Sequence, residues 1–306
     1  MTETTINRDH QEEENNDSSS IAATIQRLLQ FDDDNSIVIK GSDSNGHQYS
    51  SIEDMWKALG VLKANKEATK QIWYDKAANY YESNCEATID GVLGGFASIS
   101  DIDLQGSFNF VEELQQTYGK VPKGAAAECG AGIGRVTKGL LLSTNNITRC
   151  DLIESSERLL FEAPEYIGDE HASKCRFYQS GLQDWEPRPQ FYSIIWIQWV
   201  LCYLTDDDVV SFLQRCAKAL IKDGGVIVLK ENTCGDQTFV VDNDDASVCR
   251  SLPYWLKLVE LAGLKVVLQR IQSDFPEDLF PVPMLALVPA NNMDANNNKD
   301  DENKER

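Results

Sequence analysis

A glycine-rich segment constrains the fold of this 306-residue chain more than any other feature of its sequence. Residues 125–129 are short and apolar and predict a buried strand, and Gly130-Ala131-Gly132-Ile133-Gly134-Arg135 follows them directly. Residues 136–142 then have the pattern of a helix. Three glycines so close together permit a tight turn and let a ligand approach the backbone. A strand, glycine turn and helix in this order predict a cofactor site at the carboxyl edge of a parallel sheet.

The chain around this segment alternates between apolar runs and amphipathic helices. Strands are predicted over residues 125–129, 150–153, 176–179, 193–198 and 226–230, with helices between most of them, and two further strands over 265–271 and 284–288. This alternation predicts an α/β domain with a doubly wound, mostly parallel, Rossmann-like sheet. The last two strands have no helix between them, which predicts an antiparallel edge. Helices are also predicted N-terminal to the sheet, from the capping pattern Ser51-x-x-Asp54, over residues 66–81 and from Ser100.

The ends of the chain differ from this body in composition. The net charge is -21, from 49 acidic and 28 basic residues, and the first 50 residues hold ten of the acidic residues and three of the basic ones. We expect residues 1–50 to be a disordered acidic extension, 51–289 to be the folded domain, and 290–306 to be a disordered polar tail.

Charge, cysteines and apolar runs exclude several classes of function. An acidic chain is a poor partner for nucleic acid, and the longest apolar run, residues 191–204, is too short to cross a membrane. The eight cysteines form no CxxC pair and there are only three histidines, so no metal site is expected. The polar N-terminus does not resemble a signal peptide, so we expect reduced cysteines and a cytoplasmic and nuclear monomer.

The glycine segment also discriminates between cofactors. A dinucleotide fingerprint, GxGxxG, requires glycine where this chain has Arg135, which disfavours a nicotinamide-dependent oxidoreductase. The pattern from Glu128 to Gly134 is E-x-G-x-G-x-G, which resembles the first motif of S-adenosylmethionine-dependent methyltransferases. Arg135 suits the planar carboxylate of that cofactor. Glu154 ends the second strand, where a carboxylate commonly holds ribose hydroxyls, and the buried polar Gln198 is expected to find its partner in a ligand.

Five runs of sequence carry a more specific resemblance. They are ATIDGVLGGF (residues 87–96), ECGAGIGRVTKGLLL (128–142), GLQDW (181–185), IWIQWVLCYLTD (195–206) and VDNDDASVCR (241–250). Over roughly residues 73–289 the chain resembles the eukaryotic protein N-terminal Xaa-Pro-Lys methyltransferases, which have the class I S-adenosylmethionine-dependent fold. The resemblance implies methylation of the α-amino group of proteins with an exposed N-terminal Xaa-Pro-Lys or Xaa-Pro-Arg.

The resemblance also implies two sets of binding residues. The cofactor set is Gly130, Gly132, Arg135, Glu154, Gly181, Leu182, Gln183 and Gln198. The substrate set is Tyr80, Tyr81, Gly94, Ile99, Trp199, Asn232, Asp242, Asp245, Ser247, Leu279 and Phe280.

Three residues are candidates for catalysis. We expect Asp245 to accept a proton or hydrogen bond from the substrate amine and Asn232 to orient that amine. Tyr203 stands where the family often carries a histidine credited with acid–base help. A tyrosine, with a pKa near 10, is a poor base at neutral pH but still makes hydrogen bonds.

Two alternative functions stay open on the sequence. One is methylation of a small-molecule amine on the same fold, and the other is a non-catalytic binding protein that retains the cofactor fold, which the tyrosine at position 203 favours. The run around Asp242 is also readable as an ordinary acidic turn, and Trp199 as a structural core tryptophan.

Overall fold

The computed structural model describes residues 39–61 and 66–290, so the disorder predicted for residues 1–38 and 291–306 lies outside the described residues. The helices are α1 (Ile52–Ala58), α2 (Lys66–Asn84), α3 (Ile89–Val92), α4 (Ser100–Thr117), α5 (Glu157–Ile167), α6 (Asp169–Ala172), α7 (Asp206–Ala219) and α8 (Leu252–Leu261). The strands are β1 (Lys40–Asp43), β2 (Gln48–Tyr49), β3 (Gly124–Cys129), β4 (Ile147–Glu154), β5 (Cys175–Gln179), β6 (Tyr192–Gln198), β7 (Val226–Lys230), β8 (Thr233–Cys234), β9 (Thr238–Asp242), β10 (Ser247–Ser251), β11 (Leu264–Ile271) and β12 (Pro283–Pro289).

A seven-stranded sheet forms the centre of the domain, in the order β11-β12-β7-β6-β3-β4-β5. Strands β3 to β7 are parallel, whereas β12 runs antiparallel to both β7 and β11. This confirms the predicted doubly wound sheet and its antiparallel edge. The chain extends from β3 to β4 and β5 on one side and returns to β6 and β7 on the other. The carboxyl ends of β3 and β6 therefore border the crevice in which such sheets bind ligands.

The sheet is buried on both faces. All seven residues of β6 are buried, which explains its uninterrupted apolar sequence. One core contains Phe212 and Trp255, and a second core on the opposite face contains Phe110, Leu114 and Trp196. The layers of helix on either side hold the strand ends in fixed positions around the crevice.

A second, smaller sheet was not predicted. Its order is β2-β1-β9-β10-β8, and β1 pairs in parallel with β9. The prediction that residues 1–50 are disordered is therefore wrong for residues 40–49, which form β1 and β2. Their sequence is polar and carries no strand pattern. The pairing instead depends on a distant strand and on Tyr49, which is buried against Phe239 with ring centroids 6.1 Å apart.

The start of α1 agrees with the capping chemistry of the sequence, whereas the expectation that Ser100 caps α4 is wrong, because Ile99 is the N-cap there and makes no side-chain cap hydrogen bond. The Asp54 amide donates to Ser51 Oγ at 3.1 Å, as the capping pattern predicted, and the Asp54 carboxylate accepts from the Ser50 amide at 3.0 Å.

The helix after the glycine turn has π-type geometry over Thr137–Leu141, where the Leu142 amide donates to the Thr137 carbonyl at 2.9 Å.

Neither a membrane span nor a metal cluster occurs in the described part of the chain. No helix among residues 39–61 and 66–290 combines the length and the apolar character that crossing a bilayer requires. The same residues contain no group of three or more metal-binding side chains. All eight cysteines lie within them and are free thiols.

Candidate functional site

A cavity of about 620 Å³ lies at the carboxyl edge of the large sheet. Its walls come from the ends of β3, β4, β6 and β7, from the loop before α4, and from the hairpin of β9 and β10. A volume of this size suits a cofactor-sized ligand together with part of a second molecule. The cavity is therefore the crevice that the strand order predicts.

The glycine turn after β3 forms the floor of the cavity. Gly130, Gly132 and Gly134 have φ values of 70, 53 and 79°, a region that side chains with a Cβ rarely adopt. A Cβ at Gly130 would lie 2.6 Å from the Val200 side chain. The turn consequently requires glycine, and it exposes backbone where other residues would place side chains.

Glu154 joins the glycine turn to the end of β4. Its carboxylate accepts hydrogen bonds from the Gly132 amide at 2.9 Å and the Ser156 amide at 2.8 Å. Burial raises the pKa of Glu154, although the amide donors oppose that effect. Glu128, one strand away, accepts from the Thr137 amide at 2.7 Å, and its burial raises its pKa to about 7.

Arg135 and Gln198 share a partner that was not predicted, the fully buried Asp103 of α4. The Arg135 guanidinium lies 2.6 Å from Asp103 Oδ2, and the Gln198 amide donates to both Asp103 oxygens at 3.0 Å. Gln198 Oε1 accepts from Trp196 Nε1 at 2.8 Å. The expectation that Gln198 needs a ligand as its partner is therefore wrong, because protein groups satisfy it.

Lys230 completes this buried network, with its ammonium 2.5 Å from Asp103 Oδ1. Burial alone would raise the pKa of Asp103, but Lys230 and Arg135 hold it below its usual range. Burial lowers the pKa of Lys230 to about 8, against the opposing effect of Asp103. Asp103 thus fixes one face of Arg135 at the cavity wall.

The loop after β6 carries Trp199 in an unusual conformation. Trp199 has a φ of 52°, which is strained for a non-glycine residue. Glu231, another residue that was not predicted, accepts from the amides of Val200 and Leu201 at 3.1 Å each and so holds this loop. Its burial raises its pKa to about 7. Among the described residues, the buried Trp199 Nε1 has no hydrogen-bond partner.

The turn between β9 and β10 brings acidic side chains to the cavity. Asp245 Oδ2 accepts from the Tyr203 hydroxyl at 3.4 Å, while the buried Oδ1 has no partner within the part of the chain that is described. Burial raises the pKa of Asp245, against hydrogen bonds from Ser247 and Tyr203. Asp242, at the start of the turn, is exposed and also lines the cavity.

Tyr203 is held by a second tyrosine. Its hydroxyl is in hydrogen-bond contact with the Tyr81 hydroxyl, and the two rings meet edge to face with centroids 5.3 Å apart. Burial raises the pKa of Tyr203 well above its usual value. The phenol therefore stays protonated at neutral pH and can donate to Asp245.

Most of the predicted site residues line this one cavity. They are Tyr81, Gly94, Ile99, Gly130, Gly132, Arg135, Glu154, Gln198, Trp199, Tyr203, Asn232, Asp242, Asp245, Ser247, Leu279 and Phe280.

Four predicted residues lie outside the cavity wall: Tyr80, Gly181, Leu182 and Gln183. Tyr80 is exposed on α2, and Leu182 is buried in the core. The carbonyls of Leu182 and Gln183 accept from Arg215 at 2.8 and 3.0 Å, which turns this loop toward α7. Their contact with a cofactor stays a prediction.

Comparison with known proteins agrees with this geometry. The family described as AdoMet-dependent proline di-methyltransferases, AdoMet being S-adenosylmethionine, matches residues 69–288. The chain belongs to this family. The predicted family, enzyme class and cofactor are confirmed, and the protein is an S-adenosylmethionine-dependent methyltransferase.

Individual relatives of this methyltransferase span most of its folded part. The N-terminal Xaa-Pro-Lys N-methyltransferase 1 of Danio rerio is 41% identical over 216 residues, which cover 70% of this chain and 95% of the relative. The alpha N-terminal protein methyltransferase 1 of Arabidopsis thaliana is 37% identical over 258 residues, covering 82% and 91%. A solved SAM-dependent methyltransferase from Leishmania major superposes with a TM-score of 0.73 at 36% identity, covering 82% of this chain and 96% of that one.

Proposed function

We propose that this methyltransferase acts on the α-amino group of proteins whose exposed N-terminus reads Xaa-Pro-Lys or Xaa-Pro-Arg. The names of the Danio rerio and Arabidopsis thaliana relatives support an N-terminal amine as the acceptor. The observation that carries the proposal is the Asp245 carboxylate, which lines the cavity with one buried oxygen unpartnered among the described residues. A buried acceptor without a partner is costly unless a ligand supplies the donor.

The residues at the sheet edge fit S-adenosylmethionine. The glycine turn at Gly130 offers backbone to the ligand without a side chain in the way. Glu154 supplies carboxylate oxygens for ribose hydroxyls, and Arg135, steadied by Asp103, supplies a planar cation for the amino-acid carboxylate. When bound, the cofactor supplies a methyl group on a positively charged sulfur.

The amine must arrive neutral and correctly oriented. A free α-amino group has a pKa of about 7.7–8.0, so part of it is already neutral at pH 7. Because the pKa of Asp245 is raised, it lies closer to the pKa of the amine. This carboxylate is therefore a better proton acceptor than an exposed one. Tyr203 donates to Asp245 Oδ2, which leaves Oδ1 to accept an amine N–H, and Asn232 orients the amine from the end of β7. Positioning of the lone pair for in-line attack supplies much of the rate.

Side chains around the cavity also match the second and third residues of the substrate, the proline and the Lys or Arg. Trp199 offers an aromatic face to the proline ring, and its indole N–H, which has no partner among the described residues, can donate to a substrate carbonyl. Asp242 is exposed at the cavity mouth, where a Lys or Arg in the third position would meet it. The exposed Phe280 and its neighbour Leu279 border the same mouth.

A peptide panel tests this proposal. Methylation rates are compared for a peptide that begins Ser-Pro-Lys and for two altered copies, Ser-Ala-Lys and Ser-Pro-Glu, each of which differs from it at one position. We expect kcat/KM to fall at least about tenfold for both altered peptides, since one loses the ring packing and the other places like charges together. Equal rates for all three, or turnover of a small amine with none of the peptides methylated, would contradict the proposal and favour a small-molecule acceptor.

A further inference from the structure

We propose that residues 39–61, called here the N-terminal brace, position the Asp242–Asp245 turn for substrate binding. The brace comprises β1, β2 and α1 with their connections, and it lies before residue 69, where the family match begins. The inference rests on the proposed function, because it concerns the turn that carries Asp242 and Asp245. Three sets of contacts lead to it.

The first set joins β1 to the strand that leads into the turn. Lys40 to Asp43 pair in parallel with Thr238 to Val241, so β1 runs beside β9 up to the residue before Asp242. Gly41 lies directly on Phe239, and a Cβ at Gly41 would come within 2.2 Å of the Phe239 ring. The close approach of the two strands therefore depends on glycine at this position.

The second set lies at the turn itself. The Ser44 amide donates to the Val241 carbonyl at 2.9 Å, and Ser44 Oγ accepts from the Asn243 amide at 3.0 Å. The brace thus fixes the backbone immediately before and immediately after Asp242.

The third set holds the other strand of the hairpin. Trp56 of α1 donates from Nε1 to Asp206 Oδ2 at 2.6 Å, and Asp206 Oδ1 accepts from Arg250 Nε at 2.9 Å. Arg250 belongs to β10 and is fully buried. Trp56 also packs edge to face on Trp73 of α2 at 5.3 Å, which connects the brace to the helix that carries Tyr81.

These contacts determine how well the turn is preorganised. A turn that is already fixed loses less conformational entropy when a peptide binds, so its ligand binds more tightly. The brace touches the turn from the side of β9, while the cofactor residues lie on the large sheet. Loosening the brace should therefore raise the KM for the peptide and leave cofactor affinity unchanged.

A matched pair of serine variants in the full-length protein tests this proposal. Ser44→Ala removes the acceptor of the Asn243 amide, whereas Ser50→Ala removes a hydroxyl that bonds only within the brace, to Asp54 at 2.9 Å. We expect Ser44→Ala to raise the peptide KM about threefold to tenfold, the effect of one hydrogen bond, with kcat and the Kd for S-adenosylmethionine unchanged. Ser50→Ala should leave all three constants at their wild-type values. Equal peptide KM values for the two variants would overturn the proposal.

Hydrogen exchange separates this proposal from the proposed function, because it needs no turnover. Backbone amides of residues 243–247 should exchange faster in Ser44→Ala than in Ser50→Ala. Gly41→Val, which forces β1 away from Phe239, should increase exchange further. Faster exchange in a protein that methylates no peptide would refute the proposed function and support the brace. Unchanged exchange at 243–247 in Ser44→Ala would refute the brace.

Discussion

Two features of its surroundings have opposite effects on the pKa of Asp245. Its burial favours the neutral acid, whereas the Tyr203 hydroxyl and Ser247 stabilise the carboxylate by donating hydrogen bonds. The result is a carboxylate that is more basic than an exposed one and that stays oriented. Tyr203 can fill the position of the family's histidine by holding this carboxylate, without taking a proton itself.

Replacing Asp245 by Asn removes the proton acceptor while conserving the shape of the side chain. We expect kcat for an N-terminal peptide to fall about 100-fold or more, the usual range for a lost general base. Asp244→Asn, an exposed neighbour in the same turn, should change kcat by no more than about twofold because it does not line the cavity. Steady-state kinetics measures both, and equal kcat values for the two variants would exclude Asp245 as the acceptor.

Glu128 makes folding stability depend on pH. Its pKa is raised to about 7 in the folded protein, so the unfolded chain ionises first as the pH rises. The stability contributed by this group is full below the unfolded pKa, near 4.5, and is lost as the pH approaches about 7. At about 1.4 kcal/mol per pH unit this loss amounts to about 3 kcal/mol.

Glu128→Gln removes that loss, because the amide does not ionise and its oxygen can still accept from the Thr137 amide. We therefore expect the free energy of unfolding of the variant, relative to the wild type, to rise by about 3 kcal/mol between pH 5 and pH 8. Urea unfolding at several pH values measures this difference. A difference that stays constant with pH would mean that Glu128 is already ionised in the folded protein at pH 5.

The sequence predicted some of these residues and missed others for a physical reason. The glycine turn, Arg135 and Asp245 stand in local motifs whose spacing already implies their role. Asp103 and Glu231 do not, because a polar residue in a helix or after a strand is normally solvated. Their importance arises from burial and from partners distant in the chain, such as Lys230 for Asp103. Asp103 lies on the same face of α4 as Ser100 and Ser107, and all three are buried. Their shared face is the signal that could have indicated the burial of Asp103.

At the scale of secondary-structure elements, one carboxylate on α4 connects three parts of the site. Asp103 contacts Arg135 after the glycine turn, Gln198 at the end of β6 and Lys230 at the end of β7. The position of α4 therefore sets the position of the Arg135 guanidinium at the cavity wall. Removing the charge of Asp103 should loosen Arg135 and leave two buried cations without a counter-charge.

We expect Asp103→Asn to weaken S-adenosylmethionine binding about 10- to 100-fold, because Arg135 loses the charged hydrogen-bond partner that orients it. Asp101→Asn, at an exposed position of the same helix, is the matched control and should bind the cofactor as the wild type does. Isothermal titration calorimetry measures both. The double variant Asp103→Asn with Lys230→Met removes one of the unpaired cations. It should unfold at a higher temperature than Asp103→Asn without regaining affinity, and recovery of affinity would show that Asp103 acts only on stability.

The two sheets differ in how far the sequence predicted them. The central strands β3 and β6 of the large sheet are buried on both faces, and their mostly apolar sequences made them recognisable from the sequence alone. The small sheet includes β1, a short polar strand whose residues favour turns. β1 is a strand because it pairs with β9. The two paired segments are separated in sequence by about two-thirds of the chain. Pairing of this kind is not encoded locally.

At the scale of the whole molecule, the two sheets line different sides of the cavity, and we propose that one side binds the cofactor and the other the acceptor. The carboxyl edge of the large sheet holds the glycine turn, Glu154 and Arg135, which we propose face the cofactor. The small sheet places Asp242 and Asp245 at the cavity, where we propose that they meet the acceptor. The net charge of -21 is spread over the chain, and the acidic side chains that line the cavity include Asp242 and Asp245 of this hairpin as well as Glu154 of the large sheet. In the proposed function, this cavity is where the methyl donor and the acceptor amine meet.

Tandem mass spectrometry of a Ser-Pro-Lys peptide, incubated with the full-length protein and S-adenosylmethionine, tests the central claim most directly. We predict that the peptide gains one or more methyl groups, that the fragments place all of them on the α-nitrogen, and that an N-acetylated copy of the peptide gains none. Methyl groups on the lysine side chain, or equal methylation of the acetylated peptide, would contradict N-terminal methylation.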